Sequence, residues 1–312
     1  MGNNTSLSRR KVGRTGIEVT TIGLGGAWLG YDHVAGKRDK DLGAATVLHA
    51  LDRGINLIDT SPLYGESEEI IGYALKEYFR RGGKRSDFVL STKTGTRTRP
   101  KDYSYAGTLR SVDLSLEKLG LDYVDFALVH DPDNLAPVFA PDGALDALLK
   151  LKADGKIRAI GLGARPHDMH RACIENGNFD LSLTFGDYNL LNQSASQTIL
   201  PLAAAHGVGV FNAMVVEYGL LTGQDPHEVA KERRWNANQV KVEHAYKLWN
   251  WAKAENYDLL ALALQYSARD PRVSAILVGA SQPSEIDVDL QAYTQPFADS
   301  VWTALQSQFH TA

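Results

Sequence analysis

Short apolar runs alternate with longer amphipathic stretches along the whole chain. Eight runs are rich in β-branched residues and predict strands at 20–26, 55–59, 88–93, 124–130, 157–163, 180–185, 208–213 and 274–280. Between them the pattern predicts helices at about 41–53, 67–80, 107–118, 142–153, 167–176, 195–205, 239–268 and 283–292. The gap after the seventh strand is the longest, and we expect it to hold an insertion and two helices.

Both ends of the chain add to this alternation. A turn signal between two β-prone pieces in residues 11–19 predicts a hairpin, and residues 296–309 predict one more packing helix. Several strands are apolar at nearly every position, which is typical of parallel sheets covered on both faces. Eight strands alternating with eight helices predict an α/β fold, a (β/α)₈ TIM barrel with an N-terminal hairpin and a C-terminal extra helix.

A doubly wound nucleotide-binding fold is the alternative. It requires G-x-G-x-x-G between its first strand and helix. After Gly23 and Gly25 the third position is Trp28, and after Gly161 and Gly163 it is Pro166, so neither glycine pair fits. No linker-like stretch divides the chain, and we therefore expect residues 1–312 to form a single barrel domain.

Composition excludes several classes of protein. The net charge of -4 and the lack of a basic run with aromatics argue against a nucleic-acid partner. The single cysteine, Cys173, rules out an internal disulfide, and no metal site is expected. No apolar stretch reaches the ~18 residues of a membrane span. Gly2 matches the short N-myristoylation pattern, which also arises by chance. We expect a cytoplasmic protein without stable membrane insertion.

Three of the predicted strands carry an ionisable group where they end. Strand two ends in Asp59, with Tyr64 in the following loop; strand three ends in Lys93 and strand four in His130. Taken singly, each has an ordinary interpretation as a turn, loop or strand-edge residue. In a barrel, however, the carboxyl ends of all strands meet at one rim, where the active sites of such barrels lie. The sequence therefore predicts a shared site.

These four residue types suit proton transfer to or from a carbonyl or alcohol. A phenol has a pKa near ~10, and a neighbouring ammonium is expected to lower it by ~1–3 units. We therefore expect Lys93 to lower the pKa of Tyr64, and Asp59 to keep buried Lys93 charged. A neutral His130 would hydrogen-bond the substrate oxygen.

At this point the chain resembles the aldo-keto reductase superfamily over nearly its whole length. The segments LIDTSPLYG, LSTKTG and LVHDPD resemble those that carry the family's Asp, Tyr, Lys and His, which fall on Asp59, Tyr64, Lys93 and His130. The segments SVDLSLEKLGLDYVDFALVH and GKIRAIGLG are similar as well. The resemblance implies a barrel, a nicotinamide cofactor bound without a Rossmann motif, and Tyr64 as the general acid/base.

Three shorter details resemble the D-threo-aldose, L-fucose and L-galactose 1-dehydrogenases. They are Asp131 after the histidine, Gly163-Ala164 in place of the usual Ser-Asn, and the segment VFNAMVVEYGLLTG. This resemblance implies oxidation of a sugar at C1, from aldose to lactone, with a sugar or another polar alcohol or aldehyde as the small-molecule partner. Trp28, Tyr64, His130 and Asp131 are the predicted substrate-binding residues, and Asp187 and Glu217 are further candidates for binding sugar hydroxyls.

The resemblance also implies where the cofactor binds. The predicted cofactor-binding residues are Gly25, Gly163, Asn189, Asn212, Gly219, Leu221, Gly223, Gly279, Ser281, Glu285 and Asp289. Ser281 stands where many members carry Arg or Lys for the 2′-phosphate of NADP, and no Lys or Arg follows Arg272. The acids Glu285 and Asp289 should favour a 2′-hydroxyl, so we predict NAD in preference to NADP.

Two other functions remain open. A general aldehyde or ketone reductase is disfavoured because the acidic segment from Ser281 to Asp289 lacks the basic side chains that would bind NADP. A non-catalytic regulatory subunit that keeps fold and cofactor is compatible with an intact tetrad, and turnover would exclude it. A metal-dependent barrel hydrolase would require His-x-His on a strand, which His130 lacks.

Overall fold

The eight predicted strands close into one parallel barrel. The computed structural model describes residues 7–32, 36–232 and 238–309, so Gly2 lies outside the described residues. The barrel strands are Ile22–Gly25, Leu57–Asp59, Val89–Thr94, Val124–His130, Ile157–Gly163, Leu181–Phe185, Gly209–Ala213 and Ala275–Gly279. Each pairs with the next in chain order, and the eighth pairs with the first. The predicted (β/α)₈ barrel is confirmed.

Helices cover the outside of the barrel, close to their predicted positions. Those that follow the first six strands and the eighth are Lys40–Asp52, Ser67–Arg80, Tyr105–Leu119, Ala144–Ala153, His167–Asn176, Ile199–Ala205 and Pro283–Thr294. The short helix Ala136–Phe139 was not predicted, and Asp299–Phe309 is the predicted C-terminal helix. Single 3₁₀ turns lie at Gly13–Thr15, Gly26–Trp28, Arg85–Asp87, Ser194–Gln197 and Glu217–Gly219.

The long gap after strand seven holds the two expected helices, Gln239–Ala254 and Leu259–Arg269, which divide the predicted helical stretch 239–268. Among the described residues of this gap, the short helix Pro226–Glu232 was not predicted. The division between the two long helices has two local causes. Asn256 adopts a left-handed φ of 56°, and the carboxylate of Asp258 accepts from the backbone N–H of Leu260 at 2.9 Å, which caps a new helix.

Alternation along the strands decides which side chains enter the barrel. Phe126 and Leu128 pack in the interior, whereas Ala127 and Val129 pack against the helices. Continuing this period of two brings His130 to the inner side of the rim. The same parity runs from Leu57 to Asp59 and from Val89 through Ser91 to Lys93. The three ionisable groups therefore continue the barrel's interior rows.

The N-terminal hairpin closes the opposite end of the barrel. Its strands, Arg9–Lys11 and Glu18–Thr20, pair antiparallel, and Val12, Ile17 and Val19 pack into the interior cluster. Gly13 has a φ of 49°, and a Cβ there would lie 2.4 Å from the carbonyl oxygen of Gly207. With the amino end of the barrel closed, the carboxyl rim is the open one.

A second small hairpin, Tyr31–Asp32 with Lys37–Arg38, lies beyond the first strand and was not predicted. None of the helices in the described part of the chain has both the length and the apolarity needed to cross a membrane.

Candidate active site

A cavity of about 760 Å³ opens at the carboxyl ends of the strands. Its wall includes the last residue of seven strands, namely Gly25, Asp59, His130, Gly163, Phe185, Ala213 and Gly279. Tyr64 and Lys93 complete the predicted tetrad in the same wall. The structure thus brings together the four side chains that the strand ends predicted.

Lys93 and Asp59 form a buried ion pair in the cavity floor. The Nζ atom of Lys93 lies 2.5 Å from Oδ2 of Asp59 and donates to the carbonyl of Thr60 at 2.9 Å. Burial alone would lower the pKa of Lys93, but Asp59 and Tyr64 outweigh it and raise the pKa. Lys93 is therefore held as an ammonium ion at the base of the site.

Tyr64 reaches this pair from the loop after strand two. Its backbone N–H donates to the carbonyl of Ser61 at 3.0 Å, which closes a turn. The Lys93 ammonium lies 4.8 Å from the centre of the Tyr64 ring. Burial, together with the charges of Asp59 and Asp131, raises the pKa of Tyr64 although Lys93 lowers it, so the net direction is opposite to the lowering expected from Lys93. The reason is that the same closed floor that holds the ammonium also desolvates the phenolate.

His130 faces the Tyr64 ring edge-on, with ring centres 5.8 Å apart. Its Nδ1 lies 2.9 Å from the hydroxyl of Ser61 and 3.1 Å from that of Thr96. Burial first, and then the charge of Lys93, hold the pKa of His130 well below its usual range, so the ring is neutral. The Ser61 hydroxyl accepts from the N–H of Leu63 and has its own proton to donate to Nδ1. This arrangement favours a proton on Nε2.

Asp131 stands beside that nitrogen. One carboxylate oxygen lies 3.6 Å from Nε2 of His130, and the side chain lines the cavity. The backbone of Asp131 has a left-handed φ of 43°, and Lys101 donates to its carbonyl at 2.6 Å. Burial raises the pKa of the carboxyl group. Asp131 therefore offers a hydrogen-bond acceptor next to the histidine.

The predicted cofactor-binding residues divide into two groups. Those in the cavity wall are Gly25, Gly163, Gly219, Gly279, Ser281, Glu285 and Asp289. Asn189, Asn212, Leu221 and Gly223 are not among the lining residues. Asn189 instead donates to Glu217 at 2.9 Å and accepts from Leu191, and Asn212 donates to the carbonyl of Tyr188 at 2.7 Å. The structure shows these two amides in protein contacts.

Asp187 and Glu217 do not line the cavity either, and both are buried. Asp187 accepts from Thr184 at 3.1 Å and from Asn192 at 3.3 Å. Glu217 accepts from Lys241 at 2.6 Å as well as from Asn189. Both carboxylates form their hydrogen bonds within the protein. The structure therefore does not support the prediction that Asp187 and Glu217 bind sugar hydroxyls.

Several wall residues carried no chemical signal in the sequence. They are mostly apolar or amide side chains, including Leu63, Leu183, Phe185, Met214, Gln224, Gln282 and Val288. The alternation of inward-facing and outward-facing positions along strand six could have predicted Leu183 and Phe185. Ser61 and Thr96, which hold His130, looked like ordinary loop hydroxyls.

At the far end of the cavity the wall is acidic. The backbone N–H and hydroxyl of Ser281 donate to the two oxygens of Glu285 at 2.8 Å and 2.9 Å. Burial, and then the charge of Glu285, raise the pKa of Asp289 to about 7. Lys93 is the one Lys or Arg among the described lining residues, and it lies in the tetrad. No lining cation at this end would neutralise a phosphate group.

Comparison with known proteins gives the same assignment over most of the chain. The model of the aldo/keto reductase family matches residues 21–308. L-Galactose dehydrogenase of Arabidopsis thaliana is 34% identical over 299 residues, 93% of this chain and 89% of that protein. Pyridoxal 4-dehydrogenase of Microbacterium luteolum is 30% identical, covering 96% and 97%. An aldo-keto reductase from Bacillus halodurans, solved in its holo form, superposes with a TM-score of 0.78 at 26% identity, covering 98% and 97%.

The predicted resemblance to the superfamily is thus confirmed, and L-galactose dehydrogenase represents the sugar dehydrogenase group suggested by the shorter segments. Family membership and the barrel rim agree on the same chemistry. The chain belongs to the aldo/keto reductase family and is an NAD(P)-dependent oxidoreductase.

Proposed function

We propose that this enzyme oxidises a cyclic sugar at C1 to the corresponding lactone with NAD⁺. The observation that carries the proposal is the meeting of Tyr64, Lys93 and His130 in one cavity wall, with Asp131 beside them. A free sugar supplies a C1 hydroxyl for the tetrad and further hydroxyls for a polar acceptor such as Asp131. The similarity to L-galactose dehydrogenase supports this substrate class.

The proton path follows from the contacts. Nε2 of His130 donates a hydrogen bond to the C1 oxygen and holds it beside the Tyr64 hydroxyl. Tyr64, as phenolate, takes the C1 hydroxyl proton while Lys93 stabilises the phenolate charge and Asp59 keeps Lys93 charged. The C1–H hydrogen leaves as hydride, the C1 oxygen becomes a carbonyl, and the ring oxygen stays bonded to C1. The product is therefore a lactone, which water later opens to an acid.

The cavity fits a dinucleotide of the kind the family uses. Its wall runs from the tetrad past Gly219 and Gly279 to Ser281, and a side chain at Gly279 would collide with Trp28. Bound nicotinamide would accept the hydride and, when oxidised, would add a positive charge that favours the Tyr64 phenolate. Glu285 would accept from a ribose hydroxyl and repel a 2′-phosphate, and Asp289 would add to this repulsion at pH values above its raised pKa of about 7, which supports NAD over NADP.

A second function is favoured by one observation, the raised pKa of Tyr64. A phenol that keeps its proton is a ready acid, and reduction of an aldehyde or ketone requires a proton donor at that place. The same residues would then catalyse the reverse reaction, in which Tyr64 donates its proton to the carbonyl oxygen. The similarity to pyridoxal 4-dehydrogenase adds pyridoxal to the substrates worth testing.

The test is turnover in both directions with both cofactors. We expect L-galactose and related free sugars with NAD⁺ to give the highest kcat/KM in a panel that also holds pyridoxal and polar alcohols. Aldehydes with NADH or NADPH form the opposite arm. Faster aldehyde reduction would replace the first proposal by the second, and no turnover of any substrate by a protein that binds NADH would leave the regulatory function.

A further inference from the structure

The wall between the tetrad and the acidic end contains an unusual concentration of left-handed backbone. Within the loop 214–223, which follows strand seven, Met214 has a φ of 57°, Glu217 of 43° and Tyr218 of 55°. Residues with a Cβ avoid this region, and they keep it only when surrounding contacts impose it. The same loop contributes Met214, Tyr218 and Gly219 to the cavity wall. The contacts that impose its shape therefore also shape the site.

Those contacts converge on the Glu217 carboxylate. Lys241 donates to Oε1 at 2.6 Å, and Asn189 donates to Oε2 at 2.9 Å. The same Asn189 amide also donates to the carbonyl of Met214 at 3.2 Å. One asparagine thus ties together two of the three strained positions, and the Glu217 side chain is 3% exposed.

The position of Lys241 favours the contact with Glu217 but does not favour the stability of its own helix. It lies in the first turn of Gln239–Ala254, where the positive end of the helix disfavours a cation. Its side chain is only 23% exposed, and its ammonium points to Glu217 in a different part of the fold. The ion pair therefore links the helix to the loop.

We propose that Glu217, Lys241 and Asn189 form an anchor that holds the loop 214–223 in its left-handed shape and so positions the cofactor-binding wall. These are positioning residues, since none of the three lines the cavity. The inference rests on the proposed function only in assuming that the dinucleotide lies along this wall. Loss of the anchor should loosen cofactor binding and leave the proton-transfer groups in place.

Lys241→Met removes the charge and keeps the aliphatic stem. We expect the Kd for NADH, measured by fluorescence titration, to rise about tenfold or more, the scale of one lost charge-assisted hydrogen bond. At saturating cofactor kcat should change little, and Lys241→Arg should restore binding. Lys231→Met is the matched control, because Lys231 forms an exposed pair with Glu228 on the neighbouring helix, 71% and 61% exposed.

Glu217→Gly removes the carboxylate contacts and at the same time relieves the backbone strain, because glycine adopts the left-handed conformation freely. The variant therefore distinguishes the effect of the contacts from the effect of the strain. Weakened NADH binding in this variant supports the anchor, whereas unchanged binding in it would overturn the proposal. Unchanged Kd in Lys241→Met, even with a lower Tm, would also overturn it by showing a purely structural ion pair. Because the Kd for NADH decides the outcome, the result does not depend on which substrate the enzyme turns over.

Discussion

Nζ of Lys93 lies 2.5 Å from Oδ2 of Asp59, with both side chains buried below Tyr64. The other Asp59 oxygen is buried and has no hydrogen-bond partner among the described residues. The hydrogen bonding of this carboxylate is therefore directed at the lysine. Two residues from neighbouring strands thus place a fixed positive charge beneath the phenol.

Asp59→Asn should destabilise the folded protein and also lower the rate of the reaction. The change leaves the Lys93 charge buried without a counter-charge, which typically costs ~3–5 kcal/mol. Urea unfolding measures the loss, and Glu228→Gln, which breaks an exposed pair, should change the unfolding free energy little. A variant as stable as wild type would show that the pair does not support the folded state.

Tyr64→Phe should impair proton transfer without weakening the binding of NADH. The variant lacks only the hydroxyl, so we expect kcat to fall by ~10²-fold or more, the scale of a lost general acid/base. The Kd for NADH and the unfolding midpoint should stay close to wild type. Turnover near the wild-type rate would exclude Tyr64 from the reaction.

Cofactor choice should follow the acidic end of the cavity. We expect NADH to bind more tightly than NADPH by about an order of magnitude or more, because hydrogen bonds to a charged phosphate, worth ~1.5–3 kcal/mol each, are missing. Replacing Glu285 by Gln and Asp289 by Asn together should narrow the difference. Asp287→Asn is the control, since its carboxylate pairs with His49 and Arg53 instead. Equal affinities in the wild type would contradict the preference.

Asp289 should also make stability depend on pH. Burial and Glu285 raise its pKa to about 7 from 3.8, so the folded protein keeps a proton that the unfolded chain has lost. Its contribution to stability is therefore full at pH values below 3.8 and falls as the pH rises towards 7. Asp289→Asn should raise Tm relative to wild type more at about pH 8 than at about pH 5. A Tm difference independent of pH would mean that Asp289 is not protonated in the folded state.

The sequence predicted the barrel and the tetrad because both rest on local rules. Periodicity gave the eight strands, and one polar residue at the end of an apolar strand gave Asp59, Lys93 and His130. The net direction of the pKa shift of Tyr64 was not predicted, because desolvation depends on the residues that the folded barrel packs around the phenol. The structural role of Glu217 was equally hidden, since its partners Asn189 and Lys241 come from distant segments.

The most direct test of sugar oxidation at C1 compares a free sugar with its methyl glycoside. We predict that L-galactose with NAD⁺ yields NADH and a lactone, whereas methyl L-galactoside, blocked at C1, yields no NADH. Comparable NADH formation from the methyl glycoside would contradict the proposal and assign the oxidation to another hydroxyl.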